Sequence, residues 1–182
     1  MKLAKNLERL GTETAFSVLA EAKKLEAQGK EMIHLGLGQP DFKTPQHIMD
    51  AAKKAIDDGH HGYVLANGII ECRQAVSRKI KSLYKRDVDP ERIMIMPGGK
   101  PTMYYAIQMI GEPGAEIVHP TPGFPIYESM INYTGAKAVP YDLTKDKDLK
   151  FDPEKILSSI TDKTRLVILI NPNNPTGSFV EK

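Results

Sequence analysis

The 182-residue chain is long enough for one sizeable core, or for one domain with extra pieces. Hydrophobic residues make up 41% and charged residues 26%, and the net charge of +2 comes from lysines interleaved with acids, so no basic surface for nucleic acid or an anionic membrane is expected. A single cysteine, Cys72, excludes an intramolecular disulfide framework and fits a reducing compartment; with no signal-peptide core in Met1-Lys2-Leu3-Ala4-Lys5-Asn6 and no membrane-length apolar run, a cytoplasmic protein is expected.

In chain order, Ala15, Phe16, Leu19, Ala22 and Leu25 fall at helical spacing between Glu13 and Gln28, with Gly29 placed to end the helix. A short strand is predicted over Met32–Leu35, leading into Gly36-Leu37-Gly38-Gln39-Pro40-Asp41. Thr44-Pro45 reads as a helix start, Thr44 as N-cap and Pro45 in the first turn, for a helix with Ile48, Ala51, Ala52, Ala55 and Ile56 on one side that stops at Gly59. A further helix runs from Ile69 to Tyr84 with Ile69, Cys72, Val76, Ile80 and Leu83 as its inner stripe.

From Arg92 the rhythm changes to short apolar strands alternating with helices. Strands are predicted at Ile93–Met96, Ala115–His119, Lys137–Val139 and Leu166–Ile170. Helices are predicted at Pro101–Ile110, Pro125–Tyr133 and Pro153–Ser159. This pattern predicts an α/β fold with a mostly parallel sheet flanked by helices. Residues 1–44 lack the rhythm and are expected to pack elsewhere, as an arm and a segment of a smaller domain, with 45–182 forming the sheet-bearing domain.

Two loops carry chemistry. Pro97-Gly98-Gly99-Lys100-Pro101-Thr102 joins a strand to a helix, where glycines allow close backbone approach and a helix N-terminus offers unpaired N–H groups. It reads either as a plain βα turn or as a phosphate cup. It is not a Walker A loop, which needs glycine at Met94 and a hydroxyl at Pro101, and Asp41 spoils a dinucleotide fingerprint at Gly36 and Gly38. The second loop, Asn171-Pro172-Asn173-Asn174-Pro175-Thr176-Gly177, follows an apolar strand at the end where open α/β sheets bind ligands. Each proline restricts the asparagine before it, which predicts projecting amides.

Other groups read as structural. His60-His61 has no carboxylate or cysteine at ligand spacing, so no metal site is expected. His34 and His119, in or beside strands, are expected to be satisfied structural histidines. Asp87-Val88-Asp89 has too few ligands for calcium, Cys72 is a small core residue, and Ser82-Leu83-Tyr84-Lys85 lies in an amphipathic helix that makes Lys85 a solvated surface lysine.

Taken in order, Gly36 to Phe42, Gly62-Tyr63 with Gly68, Pro97 to Lys100, Pro120-Thr121-Pro122-Gly123-Phe124-Pro125, and Asn171 to Gly177 resemble the class I/II aminotransferases, fold-type-I enzymes that use pyridoxal 5'-phosphate (PLP). The resemblance implies that Gly98, Gly99 and Lys100 hold the PLP phosphate, Phe124 stacks on its pyridine ring, and Asn174 bonds its phenolic oxygen. It places Gly38 beside the substrate carboxylate. It has Tyr63 reach the phosphate in a neighbouring subunit, hence a homodimer. It also implies amino-group transfer between an amino acid, aspartate first, and a 2-oxo acid. A β-lyase, a diaminopimelate aminotransferase or a cyclopropane-carboxylate synthase share that fold. A catalytically inactive PLP-binding or dimerisation piece is the non-enzymatic alternative.

Departures from the family pattern are Lys100-Pro101 in place of smaller residues, Gln39 for a common glutamate and Cys72 for leucine. In the family, the lysine that forms the Schiff base, the aspartate on the pyridinium nitrogen and the substrate-clamping arginine all lie downstream of the Asn-Pro-Thr-Gly loop. No residue here is therefore named catalytic, and the 182-residue chain is expected to be an inactive N-terminal portion. Ser178 to Lys182 read as the opening turn of a helix.

Overall fold

The computed structural model describes residues 2–11 and 14–180. These form two compact units, Met1–Gly29 with Gly98–Lys182, and Lys30–Pro97.

The first unit is built on a three-stranded parallel sheet. Its elements are α1 (Thr14–Ala27), α4 (Gly99–Ile110), β1 (Glu116–Thr121), α5 (Ile126–Thr134), β2 (Lys137–Asp142), α6 (Pro153–Ser158) and β3 (Thr164–Val167). The strand order is β2-β1-β3, with both pairings parallel. Central β1 is covered on both faces, and its residues from Glu116 to Pro120 are all buried, as a strand between two helical layers must be. On one face Ile117 packs with Ile107 of α4 and with Met130 and Ile131 of α5. On the other, Val118 packs with Tyr141, Leu143 and Ile156 of α6. Beyond β3 the chain stays against the sheet, Ile168 N–H donating to the Val118 carbonyl at 2.9 Å. The Tyr141 hydroxyl donates to the Ile168 carbonyl at 2.9 Å.

These elements follow the sequence pattern, except that the strand expected at Leu166–Ile170 lies earlier, at Thr164–Val167. Helix α5 stops at Gly135, whose φ of +87° ends it in the left-handed conformation. A 3-10 helix at Lys5–Arg9 docks on α5, because Arg9 donates from Nε to the Asn132 carbonyl at 2.9 Å and from Nη2 to the Tyr133 carbonyl at 2.8 Å. A cation there suits the negative end of the helix dipole.

The second unit contains α2 (Gln46–Asp57) and α3 (Ile70–Tyr84), with irregular chain around them. Four expectations are corrected here. Met32–Leu35 and Ile93–Met96 are not strands: each lacks a ladder partner among the described residues, and Ile33 and Leu35 are exposed. The Ile95 N–H instead donates to the Asn67 carbonyl at 3.1 Å, an isolated loop bond. Thr44 does not cap α2, since Pro45 occupies the cap position and no side chain bonds there. In α3 the fully buried residue is Arg73 rather than the apolar stripe, because its guanidinium meets the Gly68 carbonyl, the Pro90 carbonyl and the Glu91 carboxylate.

Candidate functional site

Three loops of the first unit carry the site. The first is the entry to α4. Gly98 holds φ +89° and ψ 170°, a region essentially open to glycine alone. The helix that follows has no side-chain cap, so its first-turn N–H groups are left for solvent or a ligand. A Cβ on Gly99 would touch only the Met103 methyl, at 3.4 Å.

The second loop leaves the C-terminal end of β1 at Thr121 and runs to α5. It is tight, because a Cβ on Gly123 would lie 2.5 Å from the Pro120 carbonyl oxygen. That turn presents Phe124, whose ring meets Tyr127 edge-on at 6.3 Å. The Lys100 ammonium lies over the Phe124 ring at 5.6 Å and over the Phe16 ring of α1 at 5.2 Å. The entry to α4 and the aromatic loop are therefore neighbours, and Gly98, Gly99, Lys100 and Phe124 come together.

The third loop follows β3, and its asparagines behave differently from one another. Asn171 turns back on the chain, donating to the Val180 carbonyl and accepting from the Val180 N–H, both at 3.0 Å. The residues from Ser178 to Val180 therefore pair with this loop instead of opening a helix; 181 and 182 lie outside the described residues. Asn173 is buried, and its Nδ2 donates to Thr176 Oγ1 at 2.8 Å and, longer, to the Pro122 carbonyl at 3.5 Å. Asn174 is exposed. Of the two asparagines before prolines that were expected to project their amides, Asn174 is exposed, whereas Asn171 is turned back onto Val180; Asn173 between them is spent on fixing the loop. Gly177, at φ +70°, closes the turn with its N–H on the Asn173 carbonyl at 2.8 Å.

Gly38 and Tyr63 belong to the unit Lys30–Pro97. Tyr63 is fully exposed there, and a Cβ on Gly38 would meet nothing within 4 Å.

Electrostatically, the outlier near the site is His119. It is buried in β1, its Nδ1 lies 3.2 Å from the Pro120 carbonyl, and its Nε2 has no hydrogen-bond partner among the described residues. Only an acceptor faces Nδ1, so that nitrogen carries the proton and Nε2 presents a lone pair. This corrects the expectation of a satisfied histidine. Burial holds its pKa below the usual value, opposed by the Pro120 carbonyl and the Glu128 charge. A cavity of about 200 Å3 lined by His119, Thr121, Phe124 and Glu128 adjoins it. Burial also pushes the Tyr141 phenol up to about 12, so it remains a hydrogen-bond donor. Among the described residues no group of three or more His, Cys, Asp or Glu is placed to hold a metal, and no helix is long and apolar enough to cross a membrane.

The family model for class I and II aminotransferases matches residues 30–182. The chain belongs to that family. It is 35% identical over 177 residues to an aspartate aminotransferase of Bacillus subtilis, covering 97% of this chain and 45% of the relative. It is 40% identical over 152 residues to a probable aspartate aminotransferase of Methanocaldococcus jannaschii, covering 84% of this chain and 40% of that protein. Among solved structures, an aspartate aminotransferase from Thermus thermophilus with maleate superposes with a TM-score of 0.93 at 30% identity, over 100% of this chain and 48% of that one. An alanine aminotransferase from Pyrococcus furiosus gives 0.91 at 30% identity, over 100% and 47%. The chain spans about half the length of the curated relatives it matches.

In this aminotransferase chain, the sequence pattern singled out the Gly98–Lys100 turn and Phe124, which the fold brings together, but gave no sign of the buried Asn173 and took His119 for a satisfied histidine. Asn173 was hidden by Asn174 beside it, since two adjacent asparagines carry no sign of which one turns inward. His119 was legible as a strand residue, yet its missing partner depends on what packs against Nε2.

Proposed function

We propose that these residues are the cofactor-holding part of a PLP-dependent aminotransferase that moves an amino group between an amino acid, aspartate first, and a 2-oxo acid. The observation that carries this reading is the opening of α4 beside an aromatic ring. Gly98 takes a glycine-only conformation at an uncapped helix start, and Lys100 sets a positive charge between that start and Phe124. A flat, phosphorylated heterocycle fits this donor set: helix N–H groups and an ammonium for its phosphate, and a phenyl face for its ring.

On this reading Gly98, Gly99 and Lys100 hold the phosphate, Phe124 orients the ring, and Asn174 donates to the phenolic oxygen. When bound, PLP supplies the electron sink that labilises the proton on a substrate α-carbon. Gly38 lies beside the substrate carboxylate, and Tyr63 reaches the phosphate of a second subunit in a homodimer. Residues 1–44 belong to an arm and smaller domain, 45–182 to the large domain, and the protein works in the cytoplasm. Aspartate is favoured as amino donor because several relatives are named aspartate aminotransferases. Others are named for prephenate, alanine and a furanylmethyl phosphate, so the acceptor and donor range is set elsewhere in the site.

The test is the binding of 4-deoxypyridoxine 5'-phosphate, which cannot react with lysines, compared with its unphosphorylated form. Saturable binding that prefers the phosphate ester and is lost in the Gly98→Ala, Phe124→Ala double variant is expected. Equal, weak binding of both forms would reject the reading. For the protein that carries this chain, PLP-dependent formation of oxaloacetate from aspartate and 2-oxoglutarate is the matching activity.

A further inference from the structure

Asn173 is buried to more than nine-tenths, yet its side-chain oxygen has no hydrogen-bond partner among the described residues. An apolar side chain of similar volume would fill that space without an unpaired acceptor. What the carboxamide alone provides is its donated bonds, to Thr176 Oγ1 at 2.8 Å within its own loop and to the Pro122 carbonyl at 3.5 Å in the aromatic loop. Donation to a carbonyl also fixes which end of the amide points where, since a carbonyl only accepts.

Both loops are stiff enough to transmit that link. A Cβ on Gly123 would lie 2.5 Å from the Pro120 carbonyl oxygen, so the turn that joins Pro122 to Phe124 is too tight for any side chain there. In the asparagine loop, the Gly177 N–H is bound to the Asn173 carbonyl and the Asn173 N–H to the Ser178 carbonyl, each at 2.8 Å. Thr176 Oγ1 also lies 2.7 Å from Ser178 Oγ, which donates to the Leu149 carbonyl at 2.7 Å. Asn174 is the next residue along this anchored turn.

We infer that Asn173 is a positioning residue: its carboxamide clasps the loop bearing Asn174 to the loop bearing Phe124, and so sets the distance between the ring-stacking and phenol-binding groups of the cofactor site. The inference rests on the PLP reading above. It differs from a packing role because it acts on the ligand's 3-hydroxyl through Asn174.

The test compares Asn173→Leu, which fills the space without donors, with Thr176→Val and Thr176→Ser, which remove and keep the acceptor that orients the Asn173 amide from within its own loop. Backbone hydrogen exchange over 171–178 and 120–124 is followed in the ligand-free 182-residue chain. Binding of 4-deoxypyridoxine 5'-phosphate is then titrated, together with the pH midpoint of the bound probe's 3-hydroxyl. Asn173→Leu and Thr176→Val should speed exchange in both loops and weaken binding about tenfold. They should also shift the midpoint in the same direction as Asn174→Ala, whereas Thr176→Ser should behave as wild type. Wild-type exchange, affinity and midpoint in Asn173→Leu and Thr176→Val would overturn the inference, and so would a fall in melting temperature with the midpoint unmoved. If Asn173→Leu does not fold, the Thr176 pair decides alone. Failure of the wild-type chain to bind the probe rejects the cofactor reading and this role with it; binding by wild type with unaltered variants rejects this role only.

Discussion

The Lys100 ammonium stands 5.6 Å from the centre of the Phe124 ring, joining the first turn of α4 to the loop that leaves β1. A cation at a helix N-terminus opposes the helix dipole, and the two aromatic rings near it offset part of that cost, as a bound anion would. Replacing Lys100 by Met should leave α4 folded and weaken a phosphorylated pyridine about 3- to 10-fold, the worth of one partly exposed charge contact. The unphosphorylated ligand should be indifferent to the change. Titration of both ligands at two salt concentrations checks this, because the part contributed by Lys100 should fade as salt rises.

Gly98→Ala separates backbone strain from steric filling. No atom lies within 4 Å of the added Cβ, yet φ +89° and ψ 170° are hostile to any L side chain. A cost of about 1–3 kcal/mol is expected, either as lost stability or as a swing of the peptide that re-aims the first-turn N–H groups. Urea unfolding gives the first quantity and phosphate-ester binding the second. At Gly99 the same change is sterically mild, with the flexible Met103 methyl able to give way, so Gly99→Ala should cost less stability.

Arg73 organises the other unit from the buried face of α3. It holds the Gly68 and Pro90 carbonyls at 3.1 Å each and the Glu91 carboxylate at 2.9 Å. Arg73→Met removes all three bonds and leaves carbonyls short of a donor, for an expected loss of about 2–4 kcal/mol. Arg73→Lys should recover little, because one ammonium cannot reproduce a fork that donates from both Nε and Nη1. Thermal unfolding of the three proteins side by side measures the difference.

How much of this was readable in advance depended on whether a feature was local. Helices α1, α4 and α5 announce themselves by apolar spacing, and their ends fall where Gly29, Gly111 and Gly135 punctuate the chain, while α3 and strand β1 are equally plain in the pattern but end without a glycine. The segment Ile93–Met96 is as apolar as β1, but a strand exists only when a neighbour completes its ladder, and periodicity says nothing about the neighbour. Arg73 was invisible for a related reason. Its burial depends on three acceptors from other turns meeting at one point, while its own helix pattern marks it as a surface cation. The asparagine loop lies between these cases: its composition marked a rigid turn, but only the fold distinguishes the inward Asn173 from the exposed Asn174.

His119 gives the chain a pH dependence whose sign can be fixed. Burial, the dominant influence, lowers its pKa in the folded state from an ordinary value of 6.5; the Pro120 carbonyl and Glu128 pull weakly the other way. Above 6.5 the imidazole is neutral in both folded and unfolded chains, and its contribution to stability is fully present. As the pH falls from 6.5 toward the lower folded value, the unfolded chain takes up a proton that the folded chain does not. Stability is then lost with a slope of at most one proton. His119→Leu removes both the titration and the unpaired Nε2, and at pH 8 it should lie within about 1.5 kcal/mol of wild type, as volume-conserving core changes do. The expected outcome is a pair of curves with different slopes: between pH 5 and 6.5 the variant should lose less of its unfolding free energy than wild type. Parallel curves over that interval would show that His119 takes up its proton as readily in the folded chain as in the unfolded one.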